Sequence, residues 1–192
     1  MVDPWNITNY NRSPAELEEL LLFCVSVAGK SAGMTAAALD EFLASQPGKS
    51  PFDKIRRLIK GGKLRQAIRA SRLGKHTRLT RAFAELVQAG LDLTACTCEQ
   101  LEAIHGIGPK TSRFFIVHTR PGEQLAVLDT HILRYMRSLG YENIPTSTPT
   151  GKRYLQIEQE FIALARREGR DIAEFDLWIW RQYARPAATP AN

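Results

Sequence analysis

Leu101-Glu-Ala-Ile-His-Gly-Ile-Gly-Pro-Lys-Thr-Ser-Arg-Phe-Phe-Ile-Val-His118 is the stretch on which the reading of this chain turns. Apolar residues recur at helical spacing on both sides of Gly106-Ile107-Gly108: Leu101 and Ile104 before it, Phe114, Ile116 and Val117 after it. The pattern predicts a short helix ending at Ile104, a tight hairpin, and a second helix opening at Pro109. Glycine lets the backbone turn sharply and approach another surface with no Cβ in the way. Proline suits the first helical position, where its missing N–H costs nothing. The unpaired amides at the start of that second helix, at the positive end of its dipole, make a seat for an anion such as a phosphate. A Gly-x-Gly turn alone carries little weight; framed by two apolar helical faces it is much more specific.

Outward from the hairpin, the 192-residue chain continues to read as helix after helix. Ser13, Pro14 and Glu16 form a capping box that opens a helix running to about residue 28. Further helices are expected at about 34–44, 52–59, 63–70, 78–89, 98–104, 110–118, 130–139, 152–167 and 171–183, punctuated by Gly61-Gly62, Gly74 and Gly90. Residues 141–151, rich in Pro, Thr and Ser, read as a connector, and the tail from Pro186 as frayed. Only Leu125–Leu128 hints at alternation of period two, and it is too short to found a sheet. The predicted fold class is all-α.

Composition excludes several classes of function. With 44% apolar and 24% charged residues the chain is an ordinary globular protein. No run of ~18 apolar residues offers a membrane span, and Met1-Val-Asp-Pro-Trp5 does not lead from a basic segment into an apolar one. A cytoplasmic protein is therefore expected. Of the three cysteines, Cys24 lies within an apolar run and reads as a buried hydrophobe, while Cys96 and Cys98 have no second pair with which to complete a zinc or four-cysteine cluster site. No metal or redox cofactor is expected.

Net charge is +6 with a pI near 9.4, which points towards a polyanionic partner. The charge is unevenly spread. Between Lys54 and Arg81 there are eleven Lys and Arg residues and no carboxylate. A charge run is often only a solvated face, but ordinary surfaces intersperse both signs. A stripe of this kind attracts phosphates and releases counterions on binding.

Two groups near the hairpin carry chemistry. Lys110 opens the second hairpin helix, and nineteen positions later Asp129 stands in Leu128-Asp129-Thr130-His131 at the head of the next. Each has two readings: Lys110 as a nucleophilic amine or a phosphate contact, Asp129 as a carboxylate catalyst or the N-cap of its helix. Capping and catalysis are compatible.

In these elements the chain resembles the helix-hairpin-helix DNA glycosylase superfamily, whose members pair a Leu-x-Gly-Val/Ile-Gly-x-Lys hairpin with a later Val/Leu-Asp-x-His. Here these are Ile104-His-Gly-Ile-Gly-Pro-Lys110 and Leu128-Asp-Thr-His131. Phe23-Cys-Val-Ser-Val-Ala-Gly-Lys-Ser-Ala32 and Phe175-Asp-Leu-Trp-Ile-Trp180 are similar to segments of the small type-2 8-oxoguanine glycosylases, so the resemblance runs from about Ser13 to Tyr183.

That resemblance implies a single glycosylase unit, likewise without a metal cluster, of two helical lobes around a DNA-binding cleft. One lobe would take about 13–33 with 150–184, the other about 34–149. It also implies catalysis by Lys110 and Asp129. A carboxylate stabilises the oxocarbenium character that develops on the sugar as the base leaves. An unprotonated amine attacks the same carbon and forms a Schiff base, after which β-elimination breaks the strand. By the same resemblance Gly106, Gly108, Lys75 and Arg78 would hold the DNA backbone, and Ser26, Gly29, Lys30, Asp176, Trp178 and Trp180 would line the base pocket. The partner would be double-stranded DNA with a flipped modified base, bound by a monomer.

Departures from the pattern bear on the substrate. Gly29 stands where that family has Asn, Lys30 where it tends to an aromatic residue, and Arg181-Gln-Tyr-Ala-Arg-Pro186 replaces a Lys-rich tail. A roomier, more polar pocket is expected. Two substrate classes stay open, 8-oxoguanine and bulkier bases such as the hypermodified pyrimidines of some phages, the latter implying antiviral defence. A non-catalytic DNA-binding module is the rival from another class.

Overall fold

The computed structural model describes residues 1–183, and among these every regular element is a helix, with no strand. The expected tail from Pro186 and the last residue of the expected first lobe lie outside the described residues. The helices are α1 (Pro14–Val27), α2 (Ala32–Ala44), α3 (Pro51–Lys60), α4 (Leu64–Ala70), α5 (His76–Ala89), α6 (Cys98–Glu102), α7 (Pro109–Val117), α8 (Thr130–Ser138), α9 (Gly151–Arg167) and α10 (Ile172–Tyr183). Each expected helix is present, with ends moved by one or two residues. Helix α5 begins two residues early because Lys75, in the left-handed region at φ 44°, ends the preceding turn at that point.

The chain divides into two compact units, Met1–Pro121 and Gly122–Asn192. The first is built around α1. Its capping box is formed as read: the Glu16 amide donates to Ser13 Oγ, and the Ser13 amide to Glu16 Oε2 at 2.7 Å. Every residue from Leu20 to Ser26 is buried. A helix apolar on all sides needs neighbours on all sides, and α1 packs against α2, α3, α5 and α7. These four helices belong to the first unit. Helix α5 turns Leu79, Ala82, Phe83, Leu86 and Val87 inward, with the Phe83 ring 6.4 Å from that of Phe42 on α2.

The second unit packs α10 on α8 and α9. The rings of Phe161 and Phe175 stack at 5.4 Å, and Tyr135 meets Phe175 edge-on at 5.7 Å. Asp171 Oδ1 accepts from the Ala173 amide at 2.9 Å, closing the start of α10. In the 141–151 connector, the Arg153 guanidinium donates to Asn143 O at 2.6 Å. Among the described residues no helix is long and apolar enough to cross a membrane.

Candidate active site

The hairpin lies between a capped and an uncapped helix. Helix α6 opens with a second capping box, in which the Thr97 amide donates to Gln100 Oε1 at 2.9 Å and Thr97 Oγ1 accepts from the Gln100 amide. The chain then turns through an Ile107 N–H bond to Ile104 O at 3.1 Å. Gly106 sits at φ +84°, and a Cβ there would lie 2.9 Å from Arg78 Nε, so the position admits glycine on both counts. Gly108 precedes α7 in extended geometry with no side-chain cap, and Pro109 takes the first helical position. Helix α7 therefore starts with its donors unclaimed by any side chain, and half-buried Lys110 stands in that first turn.

Helix α5 holds the hairpin from behind. Arg78 donates to Gly106 O at 2.7 Å, and Glu85 Oε2 accepts from the His105 amide at 2.6 Å. Arg81 in turn pairs with Glu85 at 2.7 Å. From α6, Glu102 Oε1 accepts from Ser112 Oγ and from Arg113, each at 2.7 Å, tying α6 to α7 around the turn. Arg113 is only 7% exposed, so its charge is compensated inside the protein. Beneath, burial pushes the Cys24 thiol up to about 12, and the charges of Arg12 and Lys110 act against that rise. Lys110 thus lies within electrostatic reach of α1.

At the far end of α1 the expected pocket residues are engaged. Ser26 is fully buried and donates to Leu22 O at 2.7 Å. Gly29 turns the chain at φ +70°, and a Cβ there would come within 3.6 Å of Lys75 Nζ. The Lys75 ammonium donates to Ala28 O at 2.6 Å, and that of Lys30 to Leu73 O. The two lysines staple the end of α1 to the turn before α5. Partial burial holds Lys30 below the usual lysine range, with Lys75 and Arg78 adding repulsion.

In the second unit, Asp129 is the N-cap of α8. Its Oδ1 accepts from the His131 amide at 2.8 Å and the Ile132 amide at 2.9 Å, while Oδ2 has no hydrogen-bond partner among the described residues. The extended segment leading to it has its backbone groups met by α9. Ala126 N–H donates to Glu158 Oε1 at 2.9 Å; Tyr154 Oη accepts from Leu128 N–H at 3.1 Å and donates to Ala126 O at 2.7 Å. Buried backbone polar groups require such partners. Sequence reasoning passed over Tyr154 and Glu158. The available signal was a carboxylate and a phenol four residues apart among the apolar residues Ile157 and Phe161.

Of the C-terminal pocket candidates, Asp176 is buried and Trp178 and Trp180 are half-buried. The Trp178 ring stacks on Phe175 at 5.9 Å and carries the Arg170 guanidinium over its face at 4.8 Å. Near Asp129, the His131 ring stacks on Tyr183 at 6.3 Å, and Arg134 lies 4.9 Å above the same ring. Among the described residues no group of three or more His, Cys, Asp or Glu is set to hold a metal ion.

Comparison with known proteins agrees with this architecture. An 8-oxoguanine DNA glycosylase/AP lyase of Thermotoga petrophila is 38% identical over 76 residues, a match that covers 39% of this chain and 36% of that protein. The chain thus spans about a third of the length of the curated relatives it matches. The crystal structure of the 8-oxoguanine DNA glycosylase of Thermotoga maritima superposes with a TM-score of 0.62 at 24% identity, covering 88% of this chain and 80% of that one. The 8-oxoguanine glycosylase/lyase of Methanocaldococcus jannaschii, solved with a 15mer DNA containing 8-oxoguanine, gives a TM-score of 0.61 at 22% identity, covering 90% and 83%. These two likenesses establish the fold. The sequence pattern of the Ogg-HhH family, 8-oxoguanine DNA glycosylase, matches residues 2–169, and the chain therefore belongs to that helix-hairpin-helix family.

Proposed function

We propose that this protein excises 8-oxoguanine from double-stranded DNA and cuts the strand at the resulting abasic site. The observation that carries the reading is the uncapped start of α7 with Lys110 in its first turn, in a chain of this family. Backbone donors at a helix N-terminus hold a phosphate, and the amine beside them is carried to the sugar of the same strand. The unprotonated Lys110 amine attacks C1′ of the flipped nucleotide. The C1′–N9 bond breaks, and its electron pair leaves with the base, which takes up a proton. The sugar ring opens to a Schiff base on Lys110. Loss of a C2′ proton then expels the 3′ phosphate, and water releases the lysine. Asp129, through the oxygen that does not cap α8, stabilises the positive charge on the sugar as the base departs. Extrusion of the base from the stack costs a few kcal/mol, offset by contacts in its pocket. The reading takes the protein as a monomer acting in the cytoplasm, where its DNA substrate lies.

The two substrate classes separate on Lys30. A bulky or sugar-bearing base was favoured by a free cation in a roomier pocket, yet the Lys30 ammonium is bound to Leu73 O. That supports the flat oxidised purine named in the relatives' descriptions. The rival of a non-catalytic binding module is tested by borohydride trapping on duplex DNA containing 8-oxoguanine. A covalent protein–DNA adduct, with 8-oxoguanine identified by mass among the released products, is the expected result. No adduct and no released base would leave the binding module.

A further inference from the structure

The eleven cations between Lys54 and Arg81 fall into two classes, and the division carries a consequence for how DNA is gripped. Five are committed within the protein. Lys54 donates to Leu43 O at 2.7 Å, Arg57 pairs with Asp53 at 3.1 Å, and Arg81 pairs with Glu85 at 2.7 Å. Lys75 and Arg78 donate to the carbonyls of Ala28 and Gly106. The other six, Arg56, Lys60, Lys63, Arg65, Arg69 and Arg72, are exposed and have no hydrogen-bond or ion-pair partner among the described residues.

These six belong to one structural stretch. Helix α3 turns Phe52, Ile55 and Leu58 inward, which leaves Arg56 and Lys60 one turn apart on its outer side. Helix α4 buries Leu64 and Ile68, which leaves Arg65 and Arg69 one turn apart on its own. Gly62, at φ +65°, makes the turn between them. Gly62, Arg65, Gln66, Arg69 and Ala70 line an open concavity of about 590 Å³. Six like charges with no carboxylate among them repel one another in the free protein. Arginine pairs one turn apart present planar forks suited to phosphate oxygens.

We infer that the α3–α4 surface is a second foothold for duplex DNA, binding phosphates without regard to sequence and separately from the hairpin. Choosing DNA as the polyanion rests on the proposed function; the surface itself does not. The foothold holds undamaged duplex during the search for a lesion, and it contributes affinity rather than chemistry. Each phosphate contact removed should lower the salt slope of binding by about one.

The test compares two double variants of equal charge change: Arg65→Gln with Arg69→Gln on α4, and Arg166→Gln with Arg167→Gln on exposed positions of α9. Affinity for a long undamaged duplex is measured by fluorescence anisotropy across a salt series, with circular dichroism to check folding. The α4 variant should bind at least tenfold more weakly at low salt, with a slope shallower by about two, while the α9 variant stays near wild type. Single-turnover release of 8-oxoguanine at saturating α4 variant should match wild type. Equal losses in both variants would reduce the effect to net charge and overturn the inference. So would an unchanged slope, a slower single-turnover step at saturation, or patch-dependent affinity for single-stranded RNA but not for duplex DNA. If wild type releases no base and traps no Schiff base, the proposed function fails, yet a slope lost only in the α4 variant would still uphold the foothold.

Discussion

Helices α7 and α8 each begin with one of the two candidate catalytic groups, and they close their N-termini in opposite ways. Helix α7 starts at Gly108-Pro109 with no side chain on its first amides, whereas α8 has its first amides taken by Asp129 itself. Side chains cap α1, α3, α6 and α8, whereas α2, α4, α5, α7 and α9 start without such a cap. What sets the hairpin start apart from the other uncapped ones is its Gly108-Pro109 entry with Lys110 in the first turn, a place where an external anion can supply the missing acceptor. At α8 the carboxylate serves a structural and a chemical purpose through different oxygens. One group is left free by the fold and the other is fixed by it, so removing them should have different signatures.

The largest effect is expected at Lys110. Lys110→Gln should abolish borohydride trapping and strand cleavage, with affinity for undamaged duplex within a fewfold of wild type and thermal stability unchanged, because the side chain caps nothing. A variant that still forms the covalent adduct would break the assignment. Next comes the pair Asp129→Asn and Asp129→Ala. Asparagine caps a helix about as well as aspartate but carries no charge, so Asp129→Asn should fold normally while base release slows by about 10²–10³. Asp129→Ala should show the same kinetic loss and a further loss of about 1 kcal/mol in stability. Should Asp129→Asn melt early and yet release base at the normal rate, the role of Asp129 is the cap alone.

An intermediate effect is expected at the support of Asp129. Tyr154→Phe removes the acceptor for Leu128 N–H and the donor to Ala126 O, leaving buried backbone groups unmet. The cost is about 1–3 kcal/mol per unsatisfied group, read as a lower melting temperature. Because the same segment leads into Asp129, base release at saturation should fall by about tenfold, the size of a 1.4 kcal/mol loss of transition-state binding. Glu158→Gln keeps an acceptor for Ala126 N–H and should fall less on both measures. Equal behaviour of the two variants would mean that the segment is held by packing and not by these bonds.

Why the helices were legible in the sequence and their supports were not has a physical explanation. Apolar spacing, Pro14 and Pro109 at helix starts, and the Ser13 box are local signals, and each marks an element that is present in the structure. The hairpin was legible because glycine at 106 answers a local demand of the backbone. Contacts distant in sequence left no such mark. Nothing local to Arg78 or Lys75 announces the carbonyl that each meets in the fold, across 28 residues for Arg78 and 47 for Lys75. The same holds for Lys30, whose partner Leu73 lies 43 residues away.

The smallest effect is expected where α5 holds the hairpin through Glu85. Arg81 and then the His105 amide hold the Glu85 carboxyl below the usual carboxylate range. A group whose folded pKa is depressed contributes its full stabilisation above the unfolded value, ~4.3 for glutamate, and loses it as pH falls through the lower folded value. Across pH 6–8 the Glu85 tether should thus be constant. Glu85→Gln keeps an oxygen for the His105 amide but loses the ionic part of the Arg81 pair, which is solvent-exposed and worth little. Affinity for undamaged duplex should drop by about twofold, and the ratio of wild type to variant should be the same at pH 6 and pH 8. A ratio that changes between those pH values would show that the effect does not run through the Glu85 carboxylate, whose charge is constant there. A drop much beyond twofold would show the hairpin's grip on DNA to depend on this single carboxylate, and would remove the contrast between a terminus left open for phosphate and the scaffold that holds it there.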